Sequence, residues 1–173
     1  MQSEVLIDKD QISKRVEELG SAVSNWAAQS SEPLEVLWLA EGAVVFIADL
    51  IRAINVDMKI TSLKASSYGD AFKSSGNVDF KGDFEKFSGK NVLIVDDIFD
   101  TGLTLSTISA MVREAGANDV KACVLLRKEG VNSNFDTPEF VGFSVPNKYV
   151  FGYGLDAAGM FRNLPEIRAV IGG

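Results

Sequence analysis

Residues 91–108 read Asn-Val-Leu-Ile-Val-Asp-Asp-Ile-Phe-Asp-Thr-Gly-Leu-Thr-Leu-Ser-Thr-Ile, and this stretch decides the fold. Val92 to Val95 form a short apolar run rich in β-branched side chains. Its bounds are polar, as expected of a strand buried on both faces of a parallel sheet. Asp96 and Asp97 stand where such a strand would end. Asp100, Thr101, Gly102 and Thr104 follow, and then Leu105, Ile108, Met111 and Val112 recur at helical spacing. A strand, a glycine-containing loop and a helix start form an anion cradle. The first amides of the helix have no intrahelical acceptor, and the helix dipole favours negative charge there. Carboxylates pressed against a phosphate would repel it. Paired at a strand end, they suit hydroxyl donors or a hard cation such as Mg²⁺. A phosphate cradle beside a diol or metal site points to a ribose 5-phosphate. The plainer reading is an acidic turn with Asp100 or Thr101 as N-cap; it accounts for one acid and leaves the others without a role.

Working outward, the polar stretch Lys64 to Gly89 is interrupted only by a short strand-like piece at Asn77 to Phe80. A polar segment of this length inside a compact domain points to function or disorder. Before it, Met58 to Leu63 reads as a strand. Leu34 to Ala40 (LEVLWLA) reads as another, running through Glu41-Gly42-Ala43 into an apolar helix, Val44 to Ile54. This is a second strand–glycine–helix unit, in which Gly42 allows close backbone approach. At the N-terminal end, Ile12, Val16, Leu19, Val23 and Trp26 mark one amphipathic helix over Ile7 to Ser30, with Asp8 or Asp10 as its cap. On the far side, Gly116 reads as a left-handed helix stop. Val120 to Leu126 is a buried strand ending in Arg127-Lys128. Phe140 to Leu155 is apolar and aromatic, broken at Pro146-Asn147.

Composition narrows the partners. The chain has 173 residues, 46% hydrophobic, with a formal net charge of −7. One domain over 1–173 with a full core is the simplest expectation. No basic stripe is available to displace counterions, which argues against a nucleic-acid partner. The single cysteine, Cys123, excludes an internal disulfide and fits a reducing, cytoplasmic setting. There are no histidines, so histidine acid–base or zinc chemistry is excluded. No signal-peptide pattern and no apolar run of membrane-spanning length is seen.

VLIVDDIFDTGLT resembles the phosphoribosyl-diphosphate signature of the type I phosphoribosyltransferases. Further motifs between Val36 and Ile167 resemble, in order, the 6-oxopurine branch, the hypoxanthine(-guanine) phosphoribosyltransferases. The resemblance implies an α/β fold: a mostly parallel central sheet flanked by helices, with a flexible lid hairpin at 64–89 carrying Ser67 and Tyr68. It implies transfer of phosphoribosyl from 5-phospho-α-D-ribose 1-diphosphate to N9 of hypoxanthine or guanine, with Mg²⁺, giving IMP or GMP and pyrophosphate.

The site residues implied are these. The 5′-phosphate and ribose fall to Asp96, Asp97, Asp100, Thr101, Gly102, Leu103 and Thr104, with Asp100 the catalytic proton acceptor at purine N7. The pyrophosphate falls to Glu41, Gly42 and Arg162, with a cis peptide between Ala40 and Glu41. Several relatives carry lysine at the position of Glu41; an acid cannot pair with pyrophosphate, so either the backbone binds it or Glu41 points away. The purine falls to Arg127 or Lys128, to Tyr149 by stacking, and to the backbone of Val150. Strict strand register favours Arg127 over Lys128. Asp156 completes the purine side and joins Asp96 and Asp97 as a metal residue. Asp49 and Arg52, on the ADLIR helix, are read as structural or interface residues. Homodimers or homotetramers are expected. Other readings stay open: another base (xanthine or a pyrimidine), a non-catalytic regulator that senses the donor, or a plain scaffold.

Overall fold

The structure is a computed structural model. It describes residues 2–39, 41–63, 83–130 and 136–171. Ser67, Tyr68, residues 64–82 of the expected lid and the strand-like piece at 77–80 lie outside the described residues, as does Ala40 of the expected cis peptide; the last part of the expected lid, 83–89, forms a short 3₁₀ turn at Glu85–Phe87 with Phe87 buried in the core.

The chain is α/β. Five strands form the central sheet: β2 (Leu34–Trp38), β3 (Met58–Ser62), β4 (Asn91–Phe99), β5 (Asp119–Lys128) and β6 (Phe140–Val145). Their order is β3-β2-β4-β5-β6, and every neighbouring pair is parallel. Helices α1 (Lys9–Ala27) and α2 (Val44–Ala53) cover one face. There Ile12, Val16, Val23, Phe46 and Leu50 pack on Val36, Leu93, Val95 and Cys123. Helix α3 (Leu103–Glu114) covers the other face, where Leu105, Ile108 and Val112 meet Leu37, Val92, Ile94 and Val124. Burial on both faces explains why the central strands read as unbroken apolar runs. Gly116, just past α3, has φ +89°, the left-handed stop expected of it.

The N-terminal segment differs from its expected form. A strand, β1 (Ser3–Ile7), precedes the helix, and the helix spans Lys9–Ala27 rather than Ile7 to Ser30. Asp8 sets the boundary through a capping box. Its Oδ1 accepts from the amides of Asp10 and Gln11, and its own amide donates to Gln11 Oε1 at 3.0 Å. Strand β1 pairs antiparallel with β8 (Ile167–Val170), which pairs with β7 (Val150–Phe151), forming a second, three-stranded sheet. Residues 3 and 170 are partners, so neither strand has a local signal of its pairing.

The signature strand also runs longer than expected. It continues through Asp96 and Asp97 to Phe99, because β5 offers partners as far as Arg127. Both aspartates are therefore strand residues: Asp96 pairs with Val124, whereas the register passes over Asp97 to Ile98. Both strands shift phase near this end. Leu125 and Leu126 both enter the core layer under α1 and α2, as does Ile98, although neighbours in a regular strand face opposite ways. That shift decides which side chains reach the cleft at the carboxyl end of the sheet.

Candidate active site

A cleft of about 360 Å³ opens beyond the carboxyl ends of β4 and β5, where ligands bind in parallel α/β sheets. Glu41, Gly42, Asp97, Ile98, Lys128, Tyr149, Val150, Leu155, Asp156 and Arg162 line it. These residues come from four separate parts of the chain.

The Glu41–Ala43 loop forms a short 3₁₀ turn leading into α2. Gly42 is buried against Asp97, and a β-carbon at position 42 would overlap Asp97 Oδ2. Glu41 is exposed, with its Oε2 3.9 Å from Arg162 Nη2. Arg162 is the hub of the C-terminal loop. Its Nη2 lies 2.9 Å from Asp156 Oδ1, and its Nη1 donates to the Gly154 carbonyl at 2.7 Å. Asp156 Oδ2 also accepts from the Gly159 amide at 2.8 Å, so this acid is held from both sides. Tyr149 stands at the mouth, 56% exposed, with its hydroxyl donating to the Asp156 carbonyl at 3.1 Å. An aromatic ring left this open has a face to offer to a planar ligand. The neighbouring Val150 is buried in β7.

Of the two basic residues ending β5, Lys128 enters the cleft and Arg127 does not. Arg127 Nη2 donates to Ser144 Oγ on β6 at 2.9 Å. The expectation that favoured Arg127 assumed unbroken alternation, and the phase shift at Leu125–Leu126 reverses it. Lys128 Nζ reaches Asp100 Oδ2 at 3.8 Å across the rim.

The two signature aspartates part company. Asp97 lines the cleft, whereas Asp96 is buried on the other side of the strand and is not among the lining residues. The carboxylate of Asp96 accepts from the Asp97 amide at 2.9 Å, and that of Asp97 from the Ile98 amide at 2.7 Å. Burial, and then the neighbouring Asp97, push the Asp96 carboxyl well above the usual range. Burial also pushes Asp97 up, opposed by amide hydrogen bonds and by Arg162. Of the two aspartates expected at the diol and metal site, Asp97 lines the cleft and Asp96 does not.

Beyond β4, Asp100 is exposed, and Gly102 takes φ +84° as the N-cap of α3. That conformation suits glycine and turns the chain into the helix without a side chain in the way. No side chain caps α3, so neither Asp100 nor Thr101 acts as the N-cap. Thr101 Oγ1 lies 3.5 Å from the Leu103 amide, at the edge of hydrogen-bonding range. The first α3 bond runs from Ser106 N–H to the Gly102 carbonyl at 2.9 Å. The amides of Leu103, Thr104 and Leu105 thus have no acceptor within the helix, the arrangement an anion uses.

Among the described residues, no three acids, histidines or cysteines are grouped as a metal cage. Two carboxylates of the cleft, Asp97 and Asp156, offer a partial oxygen set of the kind Mg²⁺ completes with water and substrate phosphates. Ile98 and Leu155 line the cleft and Gly154 packs against its Gly42 loop, and none of the three was singled out from the sequence. Leu155 and Gly154 lie in GYGLD beside Asp156, which was the only available signal.

Comparison with known proteins agrees with this geometry. A family model described as phosphoribosyl transferase domain matches residues 9–158. The chain is 39% identical over 168 residues to a hypoxanthine-guanine phosphoribosyltransferase of Aquifex aeolicus (strain VF5), covering 96% of this chain and 93% of the relative. It is 36% identical over 169 residues to a hypoxanthine phosphoribosyltransferase of Escherichia coli (strain K12), covering 97% and 95%. Its fold is similar to the crystal structure of a hypoxanthine-guanine phosphoribosyltransferase from Bacillus anthracis with a HEPES molecule in the active site. The TM-score is 0.85 at 36% identity, over 97% of this chain and 98% of the other.

Proposed function

The chain belongs to the phosphoribosyl transferase family, and on that premise we propose that it is a purine-salvage transferase joining phosphoribosyl to a 6-oxopurine. The donor is 5-phospho-α-D-ribose 1-diphosphate, the acceptor hypoxanthine or guanine, and the products are IMP or GMP and pyrophosphate. The observation that carries this reading is one cleft holding an acid pair, two cations and an open aromatic ring, with the uncapped start of α3 following the same strand, β4, that supplies Asp97.

The amides at Leu103 to Leu105, with the Thr101 and Thr104 hydroxyls, hold the 5′-phosphate. Asp97 accepts from the ribose diol, and Asp96 acts from behind it, through the Asp97 amide. Gly42 and its loop offer backbone to the pyrophosphate, and Arg162 offers charge. The purine lies on Tyr149, with Lys128 donating to its 6-oxo group and Val150 reading its edge through main-chain groups. In the reaction the N9 lone pair forms the bond to C1′ as the bond from C1′ to the pyrophosphate oxygen breaks. The N7 proton passes to Asp100. Asp97 and Asp156 suit Mg²⁺, which when bound neutralises charge on the departing pyrophosphate. The fit of Asp97 and Asp156 to a partly hydrated ion supports that assignment.

We further read the chain as one catalytic domain working in the cytoplasm as a homodimer or homotetramer; none of its helices in the described residues is long and apolar enough to cross a membrane. The test is product formation from hypoxanthine, guanine and xanthine, each with donor and Mg²⁺. IMP and GMP should form. Tight donor binding with no product from any base would make the protein a sensor instead.

A further inference from the structure

The glycine loop of the cleft runs directly into α2, so whatever orients α2 also orients the loop. Most of that orientation comes from the apolar core, through Phe46, Ile47 and Leu50. One polar contact is different. Tyr153 is buried, and its hydroxyl donates to Asp49 Oδ2 on α2 at 2.6 Å. The other oxygen of Asp49 is paired with Arg52, so the acceptor is itself held.

Tyr153 is also the middle of an unusual backbone segment. Gly152, Tyr153 and Gly154 have φ of +96°, +50° and +98° in succession. Leu164 and Arg162 pin it, their carbonyls accepting from the amides of Tyr153 and Gly154 at 2.8 and 2.9 Å. Gly154 in turn lies on the cleft loop. A β-carbon there would come within 2.5 Å of the Gly42 carbonyl and 3.5 Å of the Val45 side chain. The Tyr153-Gly154 pair therefore touches the loop–helix unit at two points. One is a side chain on Asp49, the other is backbone on Gly42. Two contacts separated along the unit fix its tilt as well as its position.

We propose that Tyr153 is a positioning residue for pyrophosphate binding, acting through Asp49 on α2 and through Gly154 on the Gly42 loop. The inference rests on reading that loop as the pyrophosphate site. It differs from a merely structural role because it predicts damage to one subsite only. The 5′-phosphate cradle is built at the junction of β4 and α3, whereas the contacts of the Tyr153-Gly154 pair described above go to α2 and its loop.

The experiment uses Tyr153→Phe, which keeps the ring and removes the hydroxyl. Affinities for inorganic pyrophosphate, donor and IMP are measured by calorimetry on the full chain, and KM for donor and base by steady-state kinetics. Pyrophosphate and donor binding should weaken about tenfold, the scale of one lost hydrogen bond to a charged group. IMP affinity and the KM for the base should stay within about twofold. Asp49→Ala should reproduce the pattern, and Asp49→Asn, which keeps an acceptor, should restore most of it. An equal loss for IMP and pyrophosphate, or no loss for either, overturns the inference. Wild-type protein that binds IMP but not pyrophosphate overturns both the inference and the reading of the loop. Wild-type binding of pyrophosphate with Tyr153→Phe unchanged overturns the inference alone.

Discussion

Asp97 and Gly42 occupy adjoining space so closely that the Asp97 carboxylate fills the place of a β-carbon at position 42. The first strand–loop–helix unit and the signature strand are thereby locked together where the site forms. Gly42→Ala should displace either the loop or the carboxylate. Both move groups proposed to bind the donor. Donor affinity should fall at least tenfold, about one to three kcal/mol, the usual cost of overpacking. Calorimetry with donor checks this, and a circular-dichroism melt separates it from unfolding.

Lys128→Ala should raise the KM for the base by roughly tenfold or more, because a buried donor to a ring carbonyl contributes on the order of 1.5–3 kcal/mol. Arg127→Ala should leave it within about twofold, since Arg127 is spent on the partly exposed Ser144 contact. Parallel kinetics on the two variants distinguish them; the reverse ranking would contradict the phase shift in β5.

Asp100→Asn should keep donor binding and lose turnover by roughly 10²- to 10⁴-fold, the range of a positioned general base. Asp100 is on the surface of the rim, 3.8 Å from Lys128, so the change leaves the core untouched. Single-turnover rates with saturating donor and base measure it. Near-wild-type turnover would remove Asp100 from the chemistry.

Glu41→Gln should improve donor affinity by about two- to tenfold. Its carboxylate is exposed, so its 3.9 Å pairing with Arg162 contributes little, while its charge opposes an incoming pyrophosphate. The gain should shrink with added salt as screening takes over. Titrations at low and high ionic strength test both parts.

Asp96→Asn should stabilise the protein at neutral pH more than at acid pH. The Asp96 carboxyl sits above its usual range because it is buried beside Asp97. The folded state therefore holds that proton more tightly than the unfolded chain does. The resulting stability is fully present below the ordinary carboxylate pKa of about 4 and is lost as pH rises through the raised folded value. Asparagine keeps an acceptor for the Asp97 amide and has no proton to lose. Denaturant melts at about pH 4 and pH 7.5 should show the variant gaining on the wild type as pH rises.

Much of the site was legible in local sequence. The apolar run into Asp96-Asp97 and the glycine at 102 announce a buried strand turning into a helix start, and such signals span only a few residues. Glu41-Gly42 was legible for the same reason. Strand β1 was not, because its partner lies at the opposite end of the chain and nothing within five residues encodes that pairing. The continuation of the strand past Asp96 was not legible either, because it depends on how far β5 extends alongside.

By itself, then, the order of residues determined which segments are strands and helices of the parallel core, and that a glycine-containing loop leads from β4 into a helix start. Those properties follow from side-chain periodicity and turn chemistry within short windows. Only the tertiary structure decided that Lys128 rather than Arg127 faces the cleft, that Asp97 and not Asp96 lines it, and that Tyr153 reaches Asp49. Each depends on the phase of a strand or the meeting of distant segments, and both are set by packing between elements rather than by any residue's neighbours in the chain.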